Sequence, residues 1–589
     1  MVGITADVET NYDETVRRDI ELFREQAEAF MAGQLTDDQF RAVRLRRGIY
    51  GQRQPNVHMV RTKVPGGAVT ATQMHRLADI ATEFGGGRAH LTTRENVQYH
   101  FVPLPSVPLL LHKLADVRLT TREACYNTVR NVTACPVAGI TPDEAFDVRP
   151  YARRVAFAFL HKSLTDNMPR KFKIAFSGCK DDCMATSIND LGFRATIRME
   201  DRVERRGFRV TVGGGLGPLP TEARLLVDFL PVERVVNLCE AVLRVFNTHG
   251  NRQNKNKARL KFVMRERGFD WLKEAIEREY ADILTNGGIE MPDEVPEGFG
   301  GFQSNPPALG TGADLPVIEP HGSDPEFDAW LETNVEEQKQ RGYAIVTVRV
   351  PQGNVTDVQM HALAGLAAGT GDGLLRFTMT QNVILAYIPL SRLKRLYAAL
   401  RLVGLAEAGA REIDDITNCP GAYSCNLALT KSMNLGDALA GFVKSQRDPA
   451  VRKLSIHISG CPNSCGQHWT GDIGLYGNAR KIDGKEVPYY HMLMGGAKDE
   501  NGIMRFGLSI QSLPARLIPA ALERVLDHYR THRLEDEAFR DYVLRHKVEF
   551  FREMLSDLAK PPADDPEMLK DWGDEMNFSL QLGRGECAS

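Results

Sequence analysis

Apolar and polar positions alternate through residues 58–64 (His-Met-Val-Arg-Thr-Lys-Val) as they do in a half-buried strand. The next stretch, 72–84, carries Met74, Leu77, Ala78 and Ala81 at helical spacing. Alternation returns over 89–102, and 108–117 reads as a second helix. This strand–helix–strand–helix unit recurs over 343–402. After the first unit come strand-like stretches at 171–177 and 208–212, then an amphipathic helix over 232–246. Helices and short strands mixed in this way predict an α+β fold. A charged amphipathic helix over 13–31 lies outside the pattern, and 290–325 is rich in proline and glycine.

The recurrence is a duplication. Val64-Pro-Gly-Gly-Ala-Val-Thr matches Val350-Pro-Gln-Gly-Asn-Val-Thr at an offset of 350 − 64 = 286. Gln73-Met74-His75 falls on Gln359-Met360-His361, and Asn96-Val97 on Asn382-Val383, at the same offset. Farther on the register drifts but holds. Cys135-Pro matches Cys419-Pro (284), and Ser177-Gly-Cys179 through Cys183 matches Ser459-Gly-Cys461 through Cys465 (282). Asp190-Leu-Gly192 likewise falls on Asp472-Ile-Gly474. A period this long is not a solenoid, so two copies related by a pseudo-twofold axis are expected.

At 589 residues the chain is too long for one core, and its 43% hydrophobic and 25% charged residues are ordinary for globular proteins. Charges nearly cancel, 73 basic against 76 acidic, which leaves no global basic field for nucleic acid. No apolar run is long enough to span a bilayer, so a cytoplasmic, membrane-free protein is expected. The expected organisation is an N-terminal helical extension (1–45), a first half-unit (46–118), a first cysteine-bearing domain (119–289) and a linker (290–338). A second half-unit (339–405), a second cysteine-bearing domain (406–560) and a tail, in part poorly ordered, (561–589) follow.

Ten cysteines are too few for a disulfide scaffold, and they cluster. Cys419 and Cys425 form a C-x5-C pair, and Cys461 and Cys465 a C-x3-C pair. Four thiolates on two short loops can enclose a cubane iron–sulfur cluster; the alternative is a tetracysteine zinc site, which usually uses tighter knuckles. The first copy keeps Cys135, Cys179 and Cys183, but Thr141 stands where Cys425 has its counterpart. That copy is expected to have lost its cluster, with a labile cluster on the three remaining cysteines as the alternative. Cys239 reads as a buried small hydrophobe.

These cysteine blocks, together with His58-Met-Val-Arg61-Thr-Lys-Val-Pro-Gly-Gly, Leu91-Thr-Thr-Arg94-Glu-Asn-Val-Gln98, Val129-Arg130-Asn131 and Pro169-Arg-Lys171-Phe-Lys173, resemble the sirohaem-containing sulfite and nitrite reductases. The resemblance covers roughly residues 45–550. It implies two ferredoxin-like half-units, a sirohaem and iron–sulfur α+β domain, a monomer, and one 4Fe-4S cluster joined to sirohaem through a shared thiolate. By residue match the cluster ligands are Cys419, Cys425, Cys461 and Cys465, with Cys465 as the bridge. Sirohaem bears eight carboxylates, so its enclosure needs many cations and donors. Arg94, Asn96, Gln98, Arg259 and Asn463 match that role, with Arg94 and Gln98 expected on one face of a strand. Gly213 and Gly214 would admit close backbone approach to the macrocycle.

Arg61, Arg130, Lys171 and Lys173 match the family's four cations around the substrate anion. Reducing sulfite to sulfide takes six electrons and expels three oxygens as water, which calls for cationic groups that also give up protons. A Lys-x-Lys pair at 171–173 is typical of sulfite-reducing members, whereas many nitrite-reducing members carry asparagine at the second lysine. Sulfite is therefore the expected substrate and nitrite the alternative; a non-catalytic haem and cluster protein is a third reading. Tyr50 and Cys125 match a tyrosine–cysteine thioether that some members carry. In the second copy Arg61, Arg94 and Gln98 become Thr347, Thr380 and Ile384, so one half is expected to supply the cluster and the other the pocket. No flavin or nucleotide fingerprint is visible, so electrons would come from a separate protein, a ferredoxin or a flavoprotein reductase.

Overall fold

The computed structural model describes residues 8–292, 295, 305–308, 324–560, 565–581, 583 and 586, with side chains from 13. The protein is α+β, and its duplication is visible as two pairs of five-stranded sheets. The first pair belongs to the half-units. One sheet orders Ile49–Gly51, Val57–Arg61, Val97–Pro103, Arg88–Leu91 and, at its edge, Asn354–Thr356. Its twin orders Val335–Glu337, Tyr343–Val348, Val383–Pro389, Leu374–Phe377 and Ala68–Thr70.

The half-units thus exchange a strand. Ala68–Thr70 pairs antiparallel with Leu374–Phe377, and Asn354–Thr356 with Arg88–Leu91. Each short strand runs straight into a helix, Ala71–Phe84 or Asp357–Thr370. Both helices start with a capping box, Thr70 with Gln73 and Thr356 with Gln359, which satisfies two of the N–H groups a helix start leaves open. The two helices pack together, and His75 meets His361 with their Nδ1 atoms 2.9 Å apart. One hydrophobic core runs through both half-units, from Val60, Leu77 and Tyr99 to Val346, Leu363 and Leu385.

The second pair of sheets carries the cysteines. Thr133–Ala134, Ile174–Ser177 and Leu191–Glu200 run parallel, and Val203–Val212 and Arg224–Pro231 continue antiparallel. Thr417–Asn418, Ile456–Ser459, Ile473–Ile482, Lys485–Met494 and Leu508–Pro514 repeat that plan. Each sheet has its own core, backed by the helices Val235–His249 and Phe269–Thr285 in one and Ile518–His532 and Phe539–Met554 in the other. Cys135, Cys179, Cys419 and Cys461 sit just past the carboxyl ends of the parallel strands, where crevices form in sheets of this kind.

Several local expectations need correction. Residues 89–102 are not one strand but the hairpin Arg88–Leu91 and Val97–Pro103, closed by a turn in which Glu95 has φ +55°. The strand expected from 171 begins at Ile174. The N-terminal extension holds a second helix, Asp37–Arg46, capped by Thr36. Most of the linker lies outside the described residues, but its expected end is folded as the helix Pro325–Asn334 and the edge strand Val335–Glu337. Part of the tail is packed: Asp571 is buried and accepts from Lys431 N–H, and Trp572 Nε1 donates to Ala515 O. Cys587 lies outside the described residues.

Candidate functional site

The four cysteines of the second half lie on two loops that meet. Cys419 accepts a backbone bond from Gly460 at its Sγ (3.3 Å), and Cys425 N–H donates to Gly421 O. The turn between Cys461 and Cys465 places Ser464 at φ +59°. Directly after it, a Cβ on Gly466 would run into Ile458 O, so only glycine lets this loop lie on its strand. Burial raises the pKa of Cys419 and Cys461, and the charge of Cys465 raises each further. Thiols that disfavour one another's ionisation need a shared cation to become four thiolates. No three of them have sulfurs within 4.8 Å of one another. That spread suits a multi-iron cage better than one ion, whose sulfur ligands sit about 3.8 Å apart for zinc at a Zn–S distance of about 2.3 Å. Cys425, Asn463 and Cys465 face solvent, whereas Cys419 and Cys461 are buried.

The first half reaches this loop directly. Thr93 Oγ1 donates to Cys465 O (2.9 Å), and Gln467 Nε2 donates to Thr93 O (3.4 Å). Next to Thr93, the Arg94 guanidinium donates to Asn189 Oδ1 (2.8 Å), Asn131 O and Ile174 O. Asn131 Nδ2 holds the turn by donating to Val64 O and Arg94 O. The Glu95 carboxylate accepts from Ala134 N–H (3.1 Å). Arg94 therefore stands on a clamped turn, not on the strand face it was expected to share with Gln98.

Gln98 lies opposite Arg61 on the neighbouring strand. With its amide oxygen toward Arg61, it accepts from Nε (2.8 Å) and Nη2 (2.6 Å) and donates to His100. Asn96 is buried inside the turn, donating to Thr62 O and accepting from Thr92 Oγ1. Its visible role is to shape the turn.

Lys173 is drawn into the same place. Burial pushes its pKa well below the usual lysine value, and Arg94, Arg259 and Lys171 push the same way, while Cys465 opposes them. Lys173 of the first half thus lies within electrostatic reach of Cys465 of the second. Asp190 organises the group: its Oδ2 accepts from Lys173 N–H (2.9 Å) and from Arg259 Nη2 (2.6 Å). In the sequence Asp190 stands out only as a repeat marker, and this duty is missed. Lys261 is missed too; it is buried, pushed down to about 7, and donates to Leu216 O and Leu219 O beside Arg259.

Gly213 and Gly214 are also required by their own surroundings. A Cβ at Gly213 would sit 2.6 Å from Met264 Sδ, and one at Gly214 would strike Ser187 O. These glycines let the loop pass between the helix Leu260–Arg267 and the turn at Ser187–Asn189.

Arg61, Tyr50, Cys125 and Arg130 form a second group. Arg61 lies over the Tyr50 ring (5.6 Å) with Nη1 3.9 Å from Cys125 Sγ, and Arg130 Nη2 donates to Tyr50 OH (3.4 Å). Arg130 also donates to Tyr126 O and Ala124 O.

In the first half, Cys135, Cys179 and Cys183 sit together, all three sulfurs within 4.8 Å of one another. Cys239 is buried in the helix Val235–His249. Among the described residues no helix is long and apolar enough to cross a membrane.

Comparison with known proteins agrees with this duplicated plan. The nitrite and sulphite reductase 4Fe-4S domain matches residues 125–284 and 409–561, and the nitrite/sulfite reductase ferredoxin-like half domain matches 50–123 and 336–403. An assimilatory ferredoxin-dependent nitrite reductase from Haloferax mediterranei is 30% identical over 550 residues, covering 90% of this chain and 89% of that protein. A ferredoxin sulfite reductase from Mycobacterium tuberculosis is 28% identical over 495 residues, covering 83% and 82%. The solved structure of the M. tuberculosis NirA protein superposes with a TM-score of 0.74 at 26% identity, covering 92% of this chain and 97% of that one. Two matched domain types, each found twice and in the order that the two pairs of sheets display, make the chain a member of the nitrite and sulfite reductase family of iron–sulfur oxidoreductases.

Proposed function

We propose that the chain reduces sulfite to sulfide at sirohaem coupled to a 4Fe-4S cluster. The observation that carries this reading is that the turn bearing Arg94 is bonded to the Cys465 loop through Thr93, while Asp190 joins Arg259 to the backbone of Lys173 beside it. Cys419, Cys425, Cys461 and Cys465 would hold the cluster, with Cys465 shared with the tetrapyrrole. The residues present fit a polycarboxylate: Arg94 Nε and Arg259 Nε are buried N–H groups with no acceptor among the described residues. An anion there would meet a need that such orphan donors impose. When bound, sirohaem and the cluster supply the site's electrons and an iron atom for the substrate.

The remaining work belongs to the chain's own groups. Arg61, Arg130, Lys171 and Lys173 would draw the anion in and bind its oxygens. Lys173 releases a proton readily because burial among cations already disfavours its ammonium form. Gln98 fixes the direction of Arg61. The electron donor would be a separate protein, and the names of the relatives favour a ferredoxin over a flavoprotein reductase.

The second reading is nitrite reduction to ammonia, favoured by relatives of that name at 30% identity. Specificity constants for sulfite and nitrite with one chemical reductant separate the two. Wild type should prefer sulfite, and Lys173→Asn should lose more sulfite than nitrite reduction. A wild-type preference for nitrite with equal losses in the variant would leave the second reading standing. Tyr50 and Cys125, gathered around Arg61, are proposed as a thioether pair, which peptide mass mapping reads as the loss of two hydrogens.

A further inference from the structure

The three cysteines of the first half are more than the trace of a lost cluster. Cys135 follows the strand Thr133–Ala134, and Cys179 and Cys183 lie on the loop after Ile174–Ser177. Their sulfurs all lie within 4.8 Å of one another, and Cys183 Sγ is 3.0 Å from Cys135 Sγ. Among the described residues no other group of three histidine, cysteine or acidic side chains gathers so tightly. Backbone and hydroxyl groups already serve the sulfurs: Cys183 N–H donates to Cys179 Sγ (3.3 Å), and Ser177 Oγ lies 3.6 Å from it.

Size decides what such a group can hold. A cubane spreads its thiolates around a cage, as the wider set at Cys419, Cys425, Cys461 and Cys465 allows. A single tetrahedral zinc, at Zn–S about 2.3 Å, needs sulfurs about 3.8 Å apart. The first-half set, 3.0 Å at its closest pair and within 4.8 Å throughout, brackets the ion's spacing and falls short of the cage's. Glu144 does not complete the set, because its carboxylate is engaged by Gly139 N–H and by Lys339. Cys183 is half-buried, which leaves one side of the group open to water. Three thiolates with an open fourth position suit a thiophilic ion of the zinc class.

We infer that Cys135, Cys179 and Cys183 form a second, mononuclear metal site that takes one zinc-class ion with water as its fourth ligand. The ion ties the end of one strand to the 179–183 loop. That loop touches the other half, because Lys498 donates to Asp181 O and Arg194 bridges Lys180 O and Asn501 O. The site therefore pins a contact between halves at a place far in sequence from the cubane loops.

The test uses full-length holoenzyme. It is incubated with zinc, stripped of loosely held ion on a chelating resin, and its zinc and iron are counted per chain. Wild type should keep about one zinc, and Cys135→Ser and Cys183→Ser should keep none, with iron unchanged in all three. Zinc should also raise the thermal midpoint of wild type and leave both variants unmoved. Absence of retained zinc in wild type overturns the site, as does equal retention in the variants. A loss of iron in Cys183→Ser would make the triad a cluster site instead, and a Cys135–Cys183 disulfide in purified wild type would make it a redox pair. Iron content reports on the Cys419–Cys465 loops separately, so the failure of that assignment and of this one are told apart.

Discussion

Thr93 Oγ1 donates to the carbonyl of Cys465 over 2.9 Å, joining residues 372 positions apart. The hydroxyl belongs to the turn that carries Arg94, and the carbonyl to the loop that carries the Cys461 and Cys465 sulfurs. With the bond from Gln467 Nε2 to Thr93 O, the Thr93 hydroxyl bond sets the spacing between the cationic group of the first half and the thiolates of the second.

Removing that bond tests the composite site. Thr93→Val keeps the side chain's size and should lower stability by about 1 kcal/mol, the usual net worth of such a bond. Sulfite turnover should fall while iron content holds. Unchanged turnover would show that the turn's position against Cys465 is immaterial.

Asp190→Asn should be more damaging. Asp190 is fully buried and pairs with a nearly buried Arg259. Leaving that guanidinium unpaired costs about 3–5 kcal/mol. Denaturant unfolding should register the loss, and a change below about 1 kcal/mol would reject the anchoring role.

Cys465→Ser should strip iron and acid-labile sulfide from the protein, whereas Cys239→Ala should keep both. Cys239 lies in a helix core away from the loops. Equal iron in the two variants would reject Cys465 as a ligand.

The second-half counterpart of Asp190 predicts a pH effect. Asp472 Oδ2 accepts from Ser455 N–H and Oγ, and burial lifts its pKa above the ordinary 3.8. The folded chain therefore keeps a proton that the unfolded chain has released. Its contribution is full below pH 3.8 and lost as pH rises through the lifted value. Asp472→Asn keeps the shape of the side chain and removes its titration. The variant should gain stability over wild type as pH rises from 3.8 through the lifted value, read as a growing difference in thermal midpoint. A constant difference would place the titration elsewhere.

Much of this is legible from residues alone, and the exceptions have physical causes. The offset of 286 announces two copies and their axis, since repeats survive without any contact being known. The hairpin at 89–102 reads as one strand because its turn puts the left-handed residue at Glu95, where neither glycine nor asparagine signals it. Arg259 sits in a basic run that resembles a solvated face, and its partner Asp190 lies 69 residues away. Gly213 and Gly214 suggest cofactor approach, and only the fold shows that Met264 and Ser187 crowd them as well. Periodicity reports burial, not which distant group does the burying.

The exchanged strands Ala68–Thr70 and Asn354–Thr356 bear on how the chain is made. When the first of them leaves the ribosome, its partner Leu374–Phe377 is still some 300 residues from being translated. At about 5–20 residues per second, that edge stands open for roughly 15–60 s. Neither half can finish its sheet alone, so a nascent chain arrested at mid-length would expose an unpaired edge strand ready for chaperones or for aggregation.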